Sequence, residues 1–96
     1  MPKGYWIAHV AVSDPDQYVN YVEGAKAAFE KYQATFLARG GAHEEAEGAM
    51  GRTRHVVIEF PSFQAASDCF HSPEYQAARE HRLNAGVASI TLIEGL

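Results

Sequence analysis

Residues 5–15 read YWIAHVAVSDP, and this stretch decides how the chain begins to fold. Aromatic and β-branched residues dominate residues 5–12, a composition that predicts a strand. The strand stops before Asp14, which is typical of a helix N-cap, and Pro15, which fits the first helical position. The stretch therefore predicts a β-strand followed at once by a helix.

The rest of the chain continues the alternation of strands and helices. After Pro15, apolar residues recur at helical spacing and form one stripe: Tyr18, Val22, Ala25, Phe29 and Tyr32. Further strands are predicted at residues 35–42, 55–60 and 87–94, and helical segments at residues 62–70 and 73–84, capped by Ser62 and Ser72. The order is β-α-β-β-α-β, the ferredoxin-like α+β pattern with a four-stranded antiparallel sheet.

The connection between the second and third predicted strands is rich in polar residues. Residues 43–54 are predicted to form a hairpin connection. Gly40 and Gly41 fall inside the predicted strand before it and indicate a bulge or a close approach of another group to the backbone.

Length, charge and cysteine content limit the class of protein. Ninety-six residues suit a single domain spanning residues 1–96. The net charge of −4, with dispersed Lys and Arg, argues against a nucleic-acid or membrane-surface partner. A single cysteine, Cys69, permits no internal disulfide, and neither a signal-peptide pattern nor a membrane-length apolar run is present. These features predict a cytoplasmic protein.

Strand alternation sorts the predicted sheet into two faces. One face is assigned to the helices: Trp6, Ala8, Val10, Val12, Phe36, Ala38, Val56, Ile58 and Phe60. The other carries Tyr5, Ile7, His9, Ala11, Leu37, Arg39, His55, Val57, Glu59, and either Thr91 with Ile93 or Ile90 with Leu92. Because the helices of so short a unit cover one face only, the second face predicts a homodimer. A monomer whose open face is simply wetted is the alternative.

His9, Arg39 and Glu59 are polar residues at mid-strand positions of the predicted open face. The structural interpretation pairs Arg39 with Glu59, within one chain or across the dimer. The functional interpretation is a small-ligand pocket, in which Arg39 holds a carboxylate or enolate oxygen and His9 or Glu59 moves a proton. Gly40 and Gly41 would then let the ligand approach the backbone.

The segment from Ser72 to Tyr75 opens a predicted helix. Its free N–H groups and positive dipole end favour an anion, although Glu74 can fill that place itself. Tyr75, with Arg79 and Arg82 further along, is predicted to flank a pocket mouth. Ser72, Glu74 and Tyr75 are therefore further candidate binding residues.

Metal and nucleophile chemistry find less support in the sequence. The five histidines show no recognised metal-ligand spacing, and residues 43–47 are interpreted as a solvated charge run. Cys69 has no evident base nearby in sequence and fits a small buried apolar residue better than a nucleophile. No metal and no cofactor are predicted.

With these segments placed, the chain resembles the bacterial domain-of-unknown-function family numbered 1330, in the dimeric α/β-barrel superfamily. The resemblance rests on YWIAHVAVSDP, FLARGG, HVVIEFPSF and HSPEYQAA, with a closing strand that ends in IEG. It implies a dimer whose two sheets form a barrel. Candidate pocket residues implied by the matching segments are Arg39, Gly40, Gly41, Glu59, Ser72, Pro73, Glu74 and Tyr75.

The resemblance implies no reaction, because the family has none established. Related superfamily members include cofactor-independent monooxygenases, haem-degrading enzymes, lactone isomerases and stress-response proteins, and no haem-ligand pattern is evident here. Two hypotheses follow. The first is a dimer that binds a small anionic or carbonyl-containing metabolite in the barrel, with cofactor-free catalysis as an extension. The second is a non-catalytic binding or stress-associated dimer whose polar interior is an ion-pair network.

Overall fold

Strands and helices alternate through residues 2–96, which the computed structural model describes; Met1, the first residue of the predicted domain, lies outside them. The elements are β1 (Gly4–Val12), α1 (Pro15–Lys31), β2 (Thr35–Arg39), β3 (Arg54–Phe60), α2 (Phe63–His71), α3 (Pro73–Leu83) and β4 (Gly86–Glu94). None of these helices has the length and apolar character that crossing a membrane requires.

The strands form one antiparallel sheet in the order β2-β3-β1-β4. This is the predicted ferredoxin-like arrangement, with the second helical segment divided into α2 and α3. The division falls at Ser72, whose extended backbone ends α2 and begins α3.

Side-chain caps begin the helices where the sequence predicts. Asp14 accepts a hydrogen bond from the Gln17 backbone N–H at 3.2 Å. Ser62 caps α2 in the same way, through the Ala65 N–H at 3.0 Å. Each cap satisfies an N–H group that the first helical turn leaves without a partner.

A β-bulge on the edge strand β2 changes the face of one predicted site residue. Phe36 pairs with Ile58, but the next pair is Ala38 with Val57, so Leu37 is an extra residue. Residues directly opposite on adjacent strands share a face. Ala38 therefore lies on the open face, and Arg39, opposite Val56, lies on the helix-covered face. The predictions that placed these two residues the other way round are wrong.

The bulge also changes the end of β2. The strand ends at Arg39 rather than continuing through the glycines to residue 42. The irregularity therefore lies at Leu37, before the glycines that were predicted to contain it.

The core lies between the helices and one face of the sheet. Trp6 is at its centre, with the rings of Phe29, Phe60, Phe70 and Tyr75 at centroid distances of 5.0–5.7 Å. Its indole N–H donates to the Ala66 carbonyl at 2.8 Å.

The last strand resolves the two alternatives for its faces. Ile90 and Leu92 pack against the core, whereas Thr91 and Ile93 pair with Ile7 and Tyr5 on the open face.

Candidate functional site

A cavity of about 40 Å³ lies between the sheet and helices α1 and α3. Its walls are mostly apolar and aromatic, and three arginines contribute to its lining. The lining residues are Trp6, Ala8, Val10, Tyr18, Tyr21, Val22, Ala25, Phe29, Phe36, Arg39, Arg54, Val56, Ile58, Arg82, Ala88 and Ile90. Apolar walls with a few polar groups are typical of small-molecule sites.

The three arginines reach the cavity from three different elements. The β2 bulge turns Arg39 to this face, where its guanidinium carbon lies 4.2 Å from the Phe36 ring centroid. Arg54 begins β3 opposite Val10. Arg82 projects from α3 and is 6% exposed.

Two of the guanidinium groups have further packing partners. The Arg54 group lies 5.7 Å from the Tyr18 ring centroid, and the Arg82 group lies 5.5 Å from that of Tyr21. Gly40 makes room for Arg54, because a Cβ at that position would stand 2.5 Å from an Arg54 Nη atom. Cation–π contact of this kind holds a guanidinium without neutralising its charge.

Within the part of the chain that the structure describes, no carboxylate forms an ion pair with these arginines. The ion pairs found within residues 2–96 join Lys26 to Glu23 and Lys31 to Glu74, both away from the cavity. The Nε atoms of Arg54 and Arg82 are buried and have no hydrogen-bond partner. Buried charge of one sign is costly unless an opposite charge or hydrogen bonds compensate for it. The cavity is therefore suited to an anion.

Two tyrosines form a hydrogen-bonded pair beside Arg82. The hydroxyl groups of Tyr21 and Tyr75 lie 2.9 Å apart. Burial is the main reason that the pKa of each phenol is raised above its ordinary value, and the positive charge of Arg82 opposes the rise in both. Both phenols therefore stay neutral at physiological pH and can donate hydrogen bonds.

His9 and Glu59, the predicted proton-transfer residues, lie on the open face, away from this cavity. They occupy opposite ends of the β1–β3 ladder, because His9 pairs with His55 whereas Glu59 pairs with Tyr5. Four residue steps along a strand separate these pairs by roughly 13 Å. Glu59 accepts a hydrogen bond from the Tyr5 hydroxyl at 3.2 Å. The predicted pairing of Glu59 with Arg39 within one chain is absent, because the two side chains lie on opposite faces of the sheet.

Gly40 and Gly41 follow β2 at the exposed edge of the molecule. Gly40 adopts a φ of +65°, which favours glycine, and its N–H donates to the His55 carbonyl at 3.0 Å. A Cβ on Gly41 would meet no atom within 4 Å. Gly40 thus serves the packing of Arg54, while Gly41 leaves its backbone open.

Ser72, Glu74 and Tyr75 are occupied by contacts within the chain. The Ser72 hydroxyl donates to the Cys69 carbonyl at 2.7 Å and accepts from the Tyr75 N–H at 3.2 Å. Glu74 pairs with Lys31 at 2.9 Å, and this hydrogen bond lowers the pKa of the Glu74 carboxyl. The ring of Tyr75 is fully buried. Of this group, only the Tyr75 hydroxyl approaches the cavity, through Tyr21.

Cys69 is fully buried, and burial raises the pKa of its thiol to about 12. A thiol that stays protonated is a poor nucleophile. Its environment agrees with the role of a small apolar residue.

The sequence did not indicate that Arg54, Tyr18 and Tyr21 line one cavity. Arg54 stands at the junction of a connection and a strand, and its face depends on where β3 begins. Tyr18 and Tyr21 belong to the apolar side of α1, so their pattern indicates packing before it indicates a site. Arg82 was expected at a pocket mouth, and it lines this cavity.

A second group of polar side chains gathers on the open face. His43, Glu45 and His55 each offer a possible metal-ligand atom, and these atoms lie within 4.8 Å of one another. His9 adjoins them, with its Nδ1 2.7 Å from Nδ1 of His55. These residues come from three separate parts of the chain, which is why their spacing in sequence is not diagnostic.

The chain is similar to a known protein family and to several solved structures. The model of the family described as "Domain of unknown function (DUF1330)" matches residues 3–96. No curated protein matches the chain.

Several solved structures share the fold. A protein of unknown function from Rhodopseudomonas palustris is similar with a TM-score of 0.77 and 18% identity, over 99% of this chain and 83% of that one. SnoaB, a cofactor-independent oxygenase from Streptomyces nogalater, is similar with a TM-score of 0.66 and 12% identity, over 97% and 92% of the two chains. A dimeric protein of unknown function and ferredoxin-like fold from Bacteroides fragilis is similar with a TM-score of 0.56 and 14% identity, over 96% of this chain and 95% of that one. At these identities the similarity establishes the fold alone.

Proposed function

This chain belongs to the DUF1330 family, and we propose that it binds a small anionic or carbonyl-containing metabolite in the cavity between its sheet and its helices. The proposal differs from the sequence-based hypothesis in its location. The ligand is placed on the helix-covered face, where Arg39 lies, instead of in a barrel between two open faces.

The observation that carries the proposal is the buried, unpaired positive charge of Arg82. Its side chain is 6% exposed, and among residues 2–96 its Nε finds no hydrogen-bond partner and no acidic residue pairs with it. Arg39 and Arg54 line the same cavity. A carboxylate or enolate oxygen would receive charge-assisted hydrogen bonds from these groups and compensate for the burial.

The size of the cavity limits which part of the ligand it encloses. A volume of about 40 Å³ is far below the roughly 300–1,000 Å³ of pockets that enclose a whole small-molecule ligand. The enclosed part of the ligand is therefore its anionic or carbonyl group. The remainder would extend towards Arg39, which is exposed.

A homodimer through the open face is part of the same proposal. Val87 and Ile93 are 56% and 49% exposed on that face, beside the half-buried Tyr5 and Ile7. A relative in fold from Bacteroides fragilis is described as dimeric, which supports the same assembly here. The dimer would leave the arginine-lined cavity free, because the cavity lies on the other side of the sheet.

Catalysis without a cofactor is an extension of this proposal that needs its own test. The fold shared with a cofactor-independent oxygenase supports asking whether a bound ligand is also converted. His9 and Glu59 cannot act on a ligand in the cavity from the opposite face, so their catalytic role stays a prediction. The cytoplasmic location and the lack of nucleic-acid and membrane partners also stay predictions.

The binding proposal is tested with benzoate as the anionic probe and benzyl alcohol as its uncharged analogue. We expect benzoate to raise the melting temperature, and Arg54→Gln and Arg82→Gln each to weaken its binding at least about tenfold, because each removes a charge-assisted contact. Calorimetric titration measures the affinities. Acetate, which keeps the carboxylate and lacks the ring, separates the contribution of the anionic group.

Arg52→Gln is the matched control, because Arg52 is two residues from Arg54 and does not line the cavity. Its affinity for benzoate should equal that of the unaltered chain. The proposal fails if no carboxylate stabilises the protein, if benzyl alcohol binds as well as benzoate, or if both cavity variants retain binding. In that case the arginines have a structural role only.

A further inference from the structure

We propose that His43, Glu45 and His55 form a binding site for a divalent transition-metal ion of the zinc type. The site lies on the open face of the sheet, on the opposite side from the arginine-lined cavity. It shares no residue with the proposed metabolite site.

The three residues come from a β-strand and from an irregular connection. His55 lies on β3, opposite His9 of the neighbouring strand β1. His43 and Glu45 belong to the connection after β2, which folds back so that the His43 ring lies 4.5 Å from the His55 ring, centroid to centroid. The possible ligand atoms of the three residues all lie within 4.8 Å of one another.

The hydrogen bond of His43 leaves its other ring nitrogen ready to bind a metal. Nδ1 of His43 lies 3.2 Å from the Gly41 carbonyl oxygen, which can only accept, so Nδ1 carries the proton. In a neutral imidazole the other nitrogen, Nε2, then holds a lone pair. Histidines that bind metals commonly donate their second N–H to a carbonyl in this way.

The contact between His9 and His55 allows the same state of His55. Their Nδ1 atoms lie 2.7 Å apart, so one donates and the other accepts. When His55 donates, its Nε2 holds a lone pair, and this Nε2 is buried without any hydrogen-bond partner. A buried imidazole nitrogen with no partner beside a second imidazole and a carboxylate is the observation that points to a ligand.

Glu45 supplies the carboxylate. One of its oxygens, Oε2, accepts the Met50 N–H at 3.1 Å, which orients the group and leaves Oε1 available. The residues around this open pocket of about 470 Å³ include Glu44 and Glu47 but no lysine or arginine. The local potential therefore favours a cation, in contrast to the cavity on the other face.

The ligand set determines the class of metal. Two imidazoles and one carboxylate suit zinc and its neighbours, whereas calcium and magnesium prefer oxygen ligands throughout. Donor atoms around tetrahedral zinc stand about 3.3 Å apart. Because the possible ligand atoms already lie within 4.8 Å of one another, the three side chains need to close by at most about 1.5 Å. The connection that bears His43 and Glu45 has no helix or strand to prevent this.

The site is tested on the untagged full chain, freed of metal with a chelator and then titrated with Zn²⁺ and, separately, Co²⁺. We expect one ion per chain, measured by calorimetry and native mass spectrometry. The Co²⁺ form should show the visible absorption of a low-symmetry site with nitrogen ligands. His43→Ala and Glu45→Gln should each weaken binding at least about tenfold, since each removes a ligand from an exposed connection that lies outside the core.

Glu47→Gln and His81→Ala are the matched controls. The first removes a charge from the same acidic run, and the second removes an exposed histidine from α3. Both should keep the affinity of the unaltered chain. His9→Ala should lower the affinity by about tenfold, through loss of the hydrogen bond that orients His55.

Three outcomes would overturn the proposal. One is the failure of Zn²⁺ to bind the unaltered chain at micromolar concentration. Another is undiminished binding in both His43→Ala and Glu45→Gln. The third is an equal loss of affinity in Glu47→Gln, which would indicate attraction to the acidic run instead of coordination.

Discussion

The two faces of the sheet carry opposite charges and different degrees of burial. The helix-covered face buries Trp6, Ile58 and Phe60 to 1–3% exposure and gathers three arginines at the edge of that core. The open face leaves Val87 and Ile93 about half exposed and gathers histidines and acidic residues. Within β1, β3 and β4, strand alternation separates the two environments, because successive residues of one strand point to opposite faces. A single layer of backbone thus divides two surfaces of opposite charge.

The largest difference between the faces should appear in stability. Trp6→Ala removes the ring at the centre of the core and the donor to Ala66, and should lower the free energy of unfolding by about 3–5 kcal/mol. Val87→Ala, on the open face, should change the free energy of unfolding by less than about 0.5 kcal/mol when it is measured on the dissociated chain, in which Val87 is 56% exposed. Urea unfolding measures both. Equal costs would mean that the open face contributes to the core of the chain.

A smaller effect should appear in assembly. Ile93→Lys places a charge on the open face and should raise the dimer dissociation constant at least about tenfold, which corresponds to ~1.4 kcal/mol. Val19→Lys is the control, because Val19 is 56% exposed on α1 and so equally open to solvent. Sedimentation equilibrium measures the constants. Equal dissociation of both variants, or a monomer at micromolar concentration without any substitution, would contradict dimerisation through this face.

The smallest effect concerns the exposed ion pair of Lys31 and Glu74 between α1 and α3. The hydrogen bond from Lys31 lowers the pKa of the Glu74 carboxyl below its ordinary value of 4.5. The pair therefore stabilises the fold above that pH, and the contribution is lost as the pH falls through the lowered pKa. Lys31→Gln should lower the free energy of unfolding by less than the changes expected for Trp6→Ala and Ile93→Lys. This loss should disappear below the lowered pKa of Glu74.

Unfolding measured at pH 7 and at a pH below the lowered pKa of Glu74 tests this dependence. Lys26→Gln serves as the control, because Lys26 pairs with Glu23 within a single helix. A cost of Lys31→Gln that is the same at both pH values would show that the lysine acts through packing instead of charge.

Regular patterns in the sequence predicted most of the fold. The order of elements, the caps at Asp14 and Ser62 and the apolar face of β1 follow from local rules that the structure obeys. The bulge at Leu37 could not be predicted in the same way. It adds one unpaired residue to an edge strand, where neither Leu37 nor Ala38 differs in kind from an ordinary strand residue.

The candidate sites depended on that bulge and on the path of an irregular connection. Arg39 was predicted to bind an anion but was assigned to the wrong face, and its actual neighbours Arg54 and Arg82 were not grouped with it. His43 and Glu45 were interpreted as part of a charge run, because nothing in residues 43–54 shows that the connection turns back over His55. Contacts between distant segments that lack regular structure leave no periodic signal.

The irregularity at Leu37 has a consequence for how relatives of this chain should be aligned. Two residues separate Phe36 from Arg39, yet both side chains lie on the same face, since the bulge absorbs one of the two. A homologue with a single residue between the aromatic and the basic position would reach the same arrangement through an unbroken ladder. A homologue with two residues and no bulge would present its arginine to the opposite face. Equivalent guanidinium groups would then stand in different alignment columns, and identical columns would hold groups that never meet the same ligand.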